Sequence, residues 1–125
     1  MILVDTSVWV DFWRRRASTD ALAGLIEDQL VLCHDLVIAE LAVGNLWPPL
    51  VRDEILTGLA RLPKAPPAHL EEILTLIKEE RLERRGLGAV DVHLLASARM
   101  ARALLWTADK ALAAVADDLG LGYRA

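Results

Sequence analysis

Three short runs of consecutive apolar residues constrain the fold of this chain most strongly: Met1–Val4, Leu30–Cys33 and Ala103–Trp106. An apolar run without alternating polar residues is typical of a strand covered on both faces. The segments between the runs, such as Ala68–Arg85, have apolar residues at helical spacing. Strands that alternate with helices predict an α/β fold, here a three-layer α/β/α sandwich with a small parallel sheet.

Capping residues, glycines and prolines set the expected bounds of the remaining elements. We expect further helices at Ser7–Arg16, from Ser18–Asp20 onward, and at Leu36–Val43, Pro48–Arg61, Ala89–Ala101 and Asp109–Leu119. Asp35 is expected to cap the helix that begins at Leu36. Leu62–Pro67 contains three prolines and is interpreted as a connector or a poor edge strand. A terminal strand is expected at Tyr123.

The chain length of 125 residues fits one domain, residues 1–125. Apolar residues make up 54% of the chain, which favours some apolar surface shared with a partner or a second copy. The one cysteine, Cys33, excludes an intrachain disulfide and is expected in the core. We expect a cytoplasmic protein, because the start is not basic like that of a signal peptide and no run of about 18 uncharged apolar residues exists.

Asp5 and Asp109 follow two of the apolar runs, Asp5 directly and Asp109 after Thr107. In an open parallel sheet, ligands bind beyond the carboxyl ends of the strands. The two carboxylates are therefore expected to converge at that edge. A turn or helix cap is the alternative role for each of them.

Glu40 lies in a predicted helix, Leu36–Val43, that is apolar on all sides, and such a helix is expected to be buried. Burying even an uncharged polar group costs on the order of 2–7 kcal/mol unless it is compensated. A metal ion or a buried ion pair with an arginine would compensate it. Asp91 stands near the start of another helix, after a break at Gly88, where a cap is again the alternative.

Four carboxylates packed together repel one another, and a hard divalent cation, Mg²⁺ or Mn²⁺, would relieve that repulsion. Zinc is disfavoured, because the single cysteine and three histidines show no ligand spacing. The net charge is −4, and without these four acids the acidic and basic residues are equal in number. Local basic patches remain compatible with binding a phosphate backbone.

Four segments resemble, in order, the motifs of the PIN domain, and within it the VapC-type toxins of prokaryotic toxin–antitoxin pairs. They are Met1–Asp11, Ile38–Leu41, Gly88–Ala98 and Leu105–Lys110. The resemblance runs from the first residue to about Leu112, and Trp47–Arg85 carries no motif.

The resemblance implies endonucleolytic cleavage of RNA by water activated on Mg²⁺, for which Mn²⁺ can substitute. It also implies a cognate antitoxin that holds the toxin inactive, and it makes a homodimer the expected assembly. The acids that match its metal-binding and catalytic positions are Asp5, Glu40, Asp91 and Asp109, with Asp5 and Asp91 as the first choices for direct ligands. The matching supporting positions, which hydrogen-bond carboxylates or substrate, are Thr6, Ser7 and Thr107.

Other residues have simpler expected roles. Arg14, Arg15 and Arg16 are candidates for RNA contact, with a solvated surface as the alternative. His93 is expected to be structural. Glu80 and Arg84 have the spacing of an ordinary helix pair.

Three other functions compete with an RNA nuclease: a non-catalytic PIN-like binding or regulatory module, a phosphate-accepting receiver domain, and a DNA-directed nuclease of the same superfamily. The presence of all four acids argues against the first. A receiver domain needs paired acids after its first strand, whereas Thr6 and Ser7 follow Asp5. The chain lacks room for the extra helices that DNA-directed members usually carry.

Overall fold

The computed structural model describes residues 1–125, and its centre is a three-stranded parallel sheet. The strands are β1 (Ile2–Val4), β2 (Val31–Leu32) and β3 (Leu104–Trp106), and β1 lies between the other two. Leu3 pairs with Leu32 on one side and with Leu105 on the other. All three strands therefore end at the same edge of the sheet, and the predicted small parallel sheet is confirmed.

Seven α-helices surround this sheet. They are α1 (Thr6–Trp13), α2 (Ala21–Glu27), α3 (Asp35–Val43), α4 (Pro49–Ala60), α5 (Leu70–Glu80), α6 (Ala89–Met100) and α7 (Lys110–Asp118). Leu3 and Val4 point to opposite faces of β1, as neighbours in a strand do, and both are fully buried. Helices therefore cover the sheet on both faces, and the predicted three-layer architecture is confirmed.

The long helix predicted over Ala68–Arg85 is shorter in the structure and spans Leu70–Glu80. It ends because Arg81 adopts a left-handed conformation with φ of 53°, which turns the chain away from the helix axis. The predicted helix pair between Glu80 and Arg84 is therefore wrong. Glu80 instead lies 3.9 Å from Arg99 on α6.

The ends of two other helices also differ from the prediction. The first helix ends at Trp13 rather than at Arg16, because Arg15 is left-handed with φ of 57°. His34, and not Asp35, caps α3: its Nδ1 accepts a 3.0 Å hydrogen bond from the Leu36 N–H. Asp35 is the first residue of that helix and forms a salt bridge with a lysine.

Two extended segments add single bridges to the sheet rather than full strands. Lys64, in the proline-rich connector, bridges to Cys33, and Gly122 bridges to Leu105. Tyr123, where a terminal strand was expected, donates only its N–H to the Leu105 carbonyl, at 2.9 Å. Each segment thus extends the sheet by a single residue pair.

The core packs around the sheet and includes both Cys33 and Trp9. Cys33 is fully buried, as predicted for a small core residue. Trp9 stacks on Trp13, whose ring contacts Trp47 edge-on at a centroid distance of 4.7 Å. None of the helices has both the length and the apolar character required to cross a membrane.

Candidate active site

Asp5 lies directly after β1, is buried, and caps α1. Its Oδ1 accepts a 2.8 Å hydrogen bond from the Thr6 N–H. Its Oδ2 accepts from the hydroxyls of Ser7, at 2.8 Å, and Thr107, at 2.7 Å. Three donors on two neighbouring strand ends therefore fix the orientation of this carboxylate.

The end of β3 is tied to the same point. The Ala108 N–H donates to Ser7 Oγ at 2.9 Å, and the Asp109 N–H donates to Thr107 Oγ1 at 3.1 Å. Asp109 caps α7, where its Oδ1 accepts a 3.0 Å bond from the Leu112 N–H. The turns after β1 and β3 thus place Asp5 and Asp109 at one edge of the sheet.

Asp91 reaches this edge from the first turn of α6. Its Oδ2 accepts a 3.0 Å hydrogen bond from the Gly88 N–H, as a residue of a capping box does. Burial raises the pKa of Asp91, the Gly88 hydrogen bond lowers it, and the negative charges of Asp5 and Asp109 raise it further. Asp91 is therefore close enough to Asp5 and to Asp109 to be repelled by the charge of each.

Glu40 is exposed, so the prediction that it lies buried in an all-apolar helix is wrong. Helix α3 buries Val37 and Leu41 but leaves the other face uncovered, and Val43 is 89% exposed there. Glu40 is still linked to the site, because the Thr6 hydroxyl donates a 2.7 Å hydrogen bond to its Oε1. Because Thr6 follows Asp5 directly, this hydrogen bond holds Glu40 near the end of β1.

Asp5, Asp91 and Asp109 do have the capping roles that were the alternative to a functional site. Each aspartate, however, uses only one of its two carboxylate oxygens for the cap. Among the hydrogen bonds of the chain, none reaches Asp91 Oδ1, Asp109 Oδ2 or Glu40 Oε2. These oxygens are free for a ligand. No three acidic, histidine or cysteine side chains converge into a complete metal cage. An all-oxygen donor set of this kind suits Mg²⁺, which keeps several of its waters and needs only one or two carboxylates.

Arg14, Arg15 and Arg16 are all exposed beyond the end of α1. Arg14 lines a groove of about 550 Å³ together with Thr6 and Glu40. We call this the α1–α3 groove.

Asn45 also lines the α1–α3 groove and was not among the functional residues predicted from the sequence. An asparagine after a helix-ending glycine is an ordinary turn residue, so no signal in the sequence marked it. The groove places one of the three candidate arginines, Arg14, on the same surface as Glu40.

The PIN domain family matches residues 2–118 of this chain. Ribonuclease VapC32 of Mycobacterium tuberculosis, from strains CDC 1551 / Oshkosh and ATCC 25618 / H37Rv, is 45% identical over 122 residues. That alignment covers 97% of this chain and 94% of the relative.

Two solved structures have a similar fold at 19% sequence identity. PAE2754 from Pyrobaculum aerophilum has a TM-score of 0.65 and covers 91% of this chain and 83% of its own. FitAcB from Neisseria gonorrhoeae has a TM-score of 0.66 and covers 94% of each chain. Because the family match spans nearly all residues and a relative with 45% identity covers 97% of the chain, this protein belongs to the PIN-domain family.

Proposed function

We propose that this protein is a Mg²⁺-dependent endoribonuclease and the toxin of a toxin–antitoxin pair, with Mn²⁺ as a substitute metal. One observation carries the proposal: Asp5, Asp91 and Asp109 share one sheet edge, where burial and, to a smaller extent, the charges of the other two aspartates raise the pKa of Asp91. Such uncompensated repulsion favours a bound cation. The relative named ribonuclease VapC32 supports RNA as the substrate.

In this proposal, Asp5 and Asp91 bind the cation directly, and Glu40 and Asp109 bind it directly or through water. A bound Mg²⁺ supplies a Lewis acid for the phosphate and lowers the pKa of a water. The supporting hydroxyls orient the carboxylates: those of Ser7 and Thr107 donate to Asp5, and that of Thr6 donates to Glu40. Fixed carboxylates present their oxygens to the cation without reorganisation.

The hydroxyl of Ser7 is not the nucleophile in this proposal. It donates to Asp5 and accepts the Ala108 N–H, so both functions of the oxygen are occupied. Its neighbours Asp5 and Thr107 include no histidine to remove its proton. His93, as expected for a structural histidine, accepts the Ala68 N–H through Nε2 at 3.0 Å.

The RNA backbone is proposed to approach through the α1–α3 groove, where Arg14 faces the same space as Glu40 and Thr6. Arg15 and Arg16 follow on the exposed turn and extend the positive charge. Guanidinium groups bind phosphates with paired hydrogen bonds and strengthen binding at low salt.

The proposed antitoxin and the proposed homodimer both need apolar surface. The exposed side chains of Val43, Leu50, Leu70 and Leu74 provide it: Leu50 is 95% exposed, and Leu70 is 68% exposed. Large apolar side chains in such positions favour association with another chain. Size measurements of the protein alone and with its antitoxin would test both assemblies.

The decisive experiment is the cleavage of total RNA by the purified protein with Mg²⁺, with Mn²⁺ or with EDTA. Asp5→Asn and Asp91→Asn are the site variants, and Asp53→Asn, an exposed acid on α4, is the matched control. We expect discrete fragments that need metal and are lost in both site variants but not in the control. Equal cleavage by Asp5→Asn and Asp53→Asn would overturn the assignment.

The competing functions are separated in the same experiment. Single-stranded DNA of matched length, incubated in parallel, separates an RNA nuclease from a DNA-directed one. A folded protein, free of antitoxin, that cleaves neither substrate in either metal would favour the non-catalytic module.

A further inference from the structure

A second groove, of about 500 Å³, lies beside the acids on the side of β3 and α7. We call it the C-terminal groove. Polar and aromatic side chains along it are those of Ser18, Trp106, Thr107, Lys110, Asp117, Tyr123 and Arg124. Its volume is within the range of small-ligand sites.

The C-terminal groove reaches the candidate active site through Thr107. The hydroxyl of this residue donates to Asp5 Oδ2 at 2.7 Å, and its side chain also lines the groove. A molecule bound against Thr107 is therefore a direct neighbour of the Asp5 carboxylate. The α1–α3 groove meets the same carboxylate from the side of Thr6.

The groove has an aromatic wall that is held in place. The ring of Tyr123 is partly exposed and is backed by the buried Trp106, at a centroid distance of 5.0 Å. The Tyr123 N–H donates to the Leu105 carbonyl at 2.9 Å, which fixes this residue against the sheet. A half-exposed ring on a rigid support is a platform on which a nucleobase stacks.

The groove also has an unpaired cation. Lys110 is exposed at the start of α7 and takes part in none of the salt bridges of the chain. The other cation, Arg124, is paired with Asp117. The ammonium group of Lys110 is therefore available to a phosphate.

We propose that the C-terminal groove binds one nucleotide of single-stranded RNA beside the cleaved bond, with its base on Tyr123 and its phosphate at Lys110. The inference rests on the proposed function in one respect, because it requires the cleaved phosphodiester next to this nucleotide to lie at Asp5. The strand then contacts the α1–α3 groove at Thr6 and the C-terminal groove at Thr107, and the C-terminal groove contributes to the choice of cleavage site.

The first test needs no activity. Adenosine monophosphate is titrated into the metal-free protein, and the indole N–H signals of the four tryptophans are followed by NMR. We expect the Trp106 signal to shift, because this residue lines the groove, while those of Trp9 and Trp47 stay unchanged. An unchanged Trp106 signal at millimolar nucleotide would overturn the proposal. Inorganic phosphate alone should shift it much less, since it lacks the base.

The second test uses cleavage of a single-stranded oligoribonucleotide. Lys110→Ala and Tyr123→Leu should each raise KM about tenfold and act on KM more than on kcat. Their matched controls are Lys78→Ala, which removes an equal charge from α5, and Tyr123→Phe, which keeps the ring. Equal KM values for Lys110→Ala and Lys78→Ala, or for Tyr123→Leu and Tyr123→Phe, would refute the groove as a substrate site. Absence of cleavage by the unmodified protein contradicts the proposed function instead, and the nucleotide titration then decides about the groove alone.

Discussion

The hydroxyl of Thr107 donates a 2.7 Å hydrogen bond to Oδ2 of Asp5, across the two neighbouring strands β3 and β1. The Thr107 hydroxyl oxygen in turn accepts the Asp109 N–H at 3.1 Å. One small side chain therefore sets the relative position of two carboxylates that are 104 residues apart in the numbering of the chain.

We predict that Thr107→Val lowers kcat of RNA cleavage by about 10- to 100-fold, the usual effect of losing a partner that orients a metal ligand. Valine has the same shape but no hydroxyl, so Asp5 loses a donor and the Asp109 N–H loses its acceptor. Stability should fall by about 1 kcal/mol, measured by urea unfolding. Thr107→Ser keeps the hydroxyl and serves as the control. If valine and serine gave equal rates, the hydroxyl would have no role in orientation.

Asp109 combines a cap with a proposed ligand, and two substitutions separate these roles. Asparagine caps helices about as well as aspartate, so Asp109→Asn should keep the Leu112 hydrogen bond and the stability of α7. Asp109→Ala should lose about 1 kcal/mol of stability. We expect both variants to lose metal-dependent cleavage. Full activity in Asp109→Asn would show that only the cap matters.

We predict that Asp91→Asn raises the melting temperature of the protein in EDTA. Burial and the charges of Asp5 and Asp109 raise the pKa of Asp91, so its ionised form destabilises the folded state. An amide removes that charge and can still accept the Gly88 N–H. In Mg²⁺ the unmodified protein should have the higher melting temperature, because the bound cation stabilises it more than it stabilises Asp91→Asn. A lower melting temperature of Asp91→Asn in EDTA would contradict this account.

The sequence predicts the parallel sheet and the positions of Asp5 and Asp109 well, because both depend on local patterns. An uninterrupted apolar run specifies a buried strand, and a polar residue directly after it must lie at the sheet edge. The position of Thr107 at the end of a strand follows from the same pattern, whereas its supporting role is implied only by the resemblance to the PIN domain. These residues lie at the centre of the proposed site.

The features that the sequence does not predict depend on contacts between distant segments. Glu40 was expected to be buried because its helix is apolar on all sides, but no other element covers the face that carries Val43. Arg81 ends α5 in a conformation that glycine usually adopts, so no breaker residue marked that boundary. His34 became the cap of α3 because its ring also reaches Ser97 on α6, 63 residues away.

His34 leads to a prediction about pH. It is buried, its Nδ1 accepts the Leu36 N–H, and its Nε2 therefore carries the proton and donates to Ser97 Oγ at 3.1 Å. Burial lowers the pKa of His34 below its ordinary value of 6.5, the nearby His93 lowers it further, and Asp35 opposes this. Protonation of His34 would break the cap of α3.

The folded state therefore disfavours the proton that the unfolded chain accepts, and the free energy of unfolding should decrease as the pH falls below about 6.5. Urea unfolding between about pH 7.5 and 5.5 measures this dependence, in a window above the usual titration of carboxylates. His34→Asn is the matched variant, since asparagine also caps a helix but does not titrate. We expect it to be less stable at pH 7.5, because it loses the Ser97 bond, and to depend less on pH. An equal loss of stability with pH in both proteins would assign the effect to other groups.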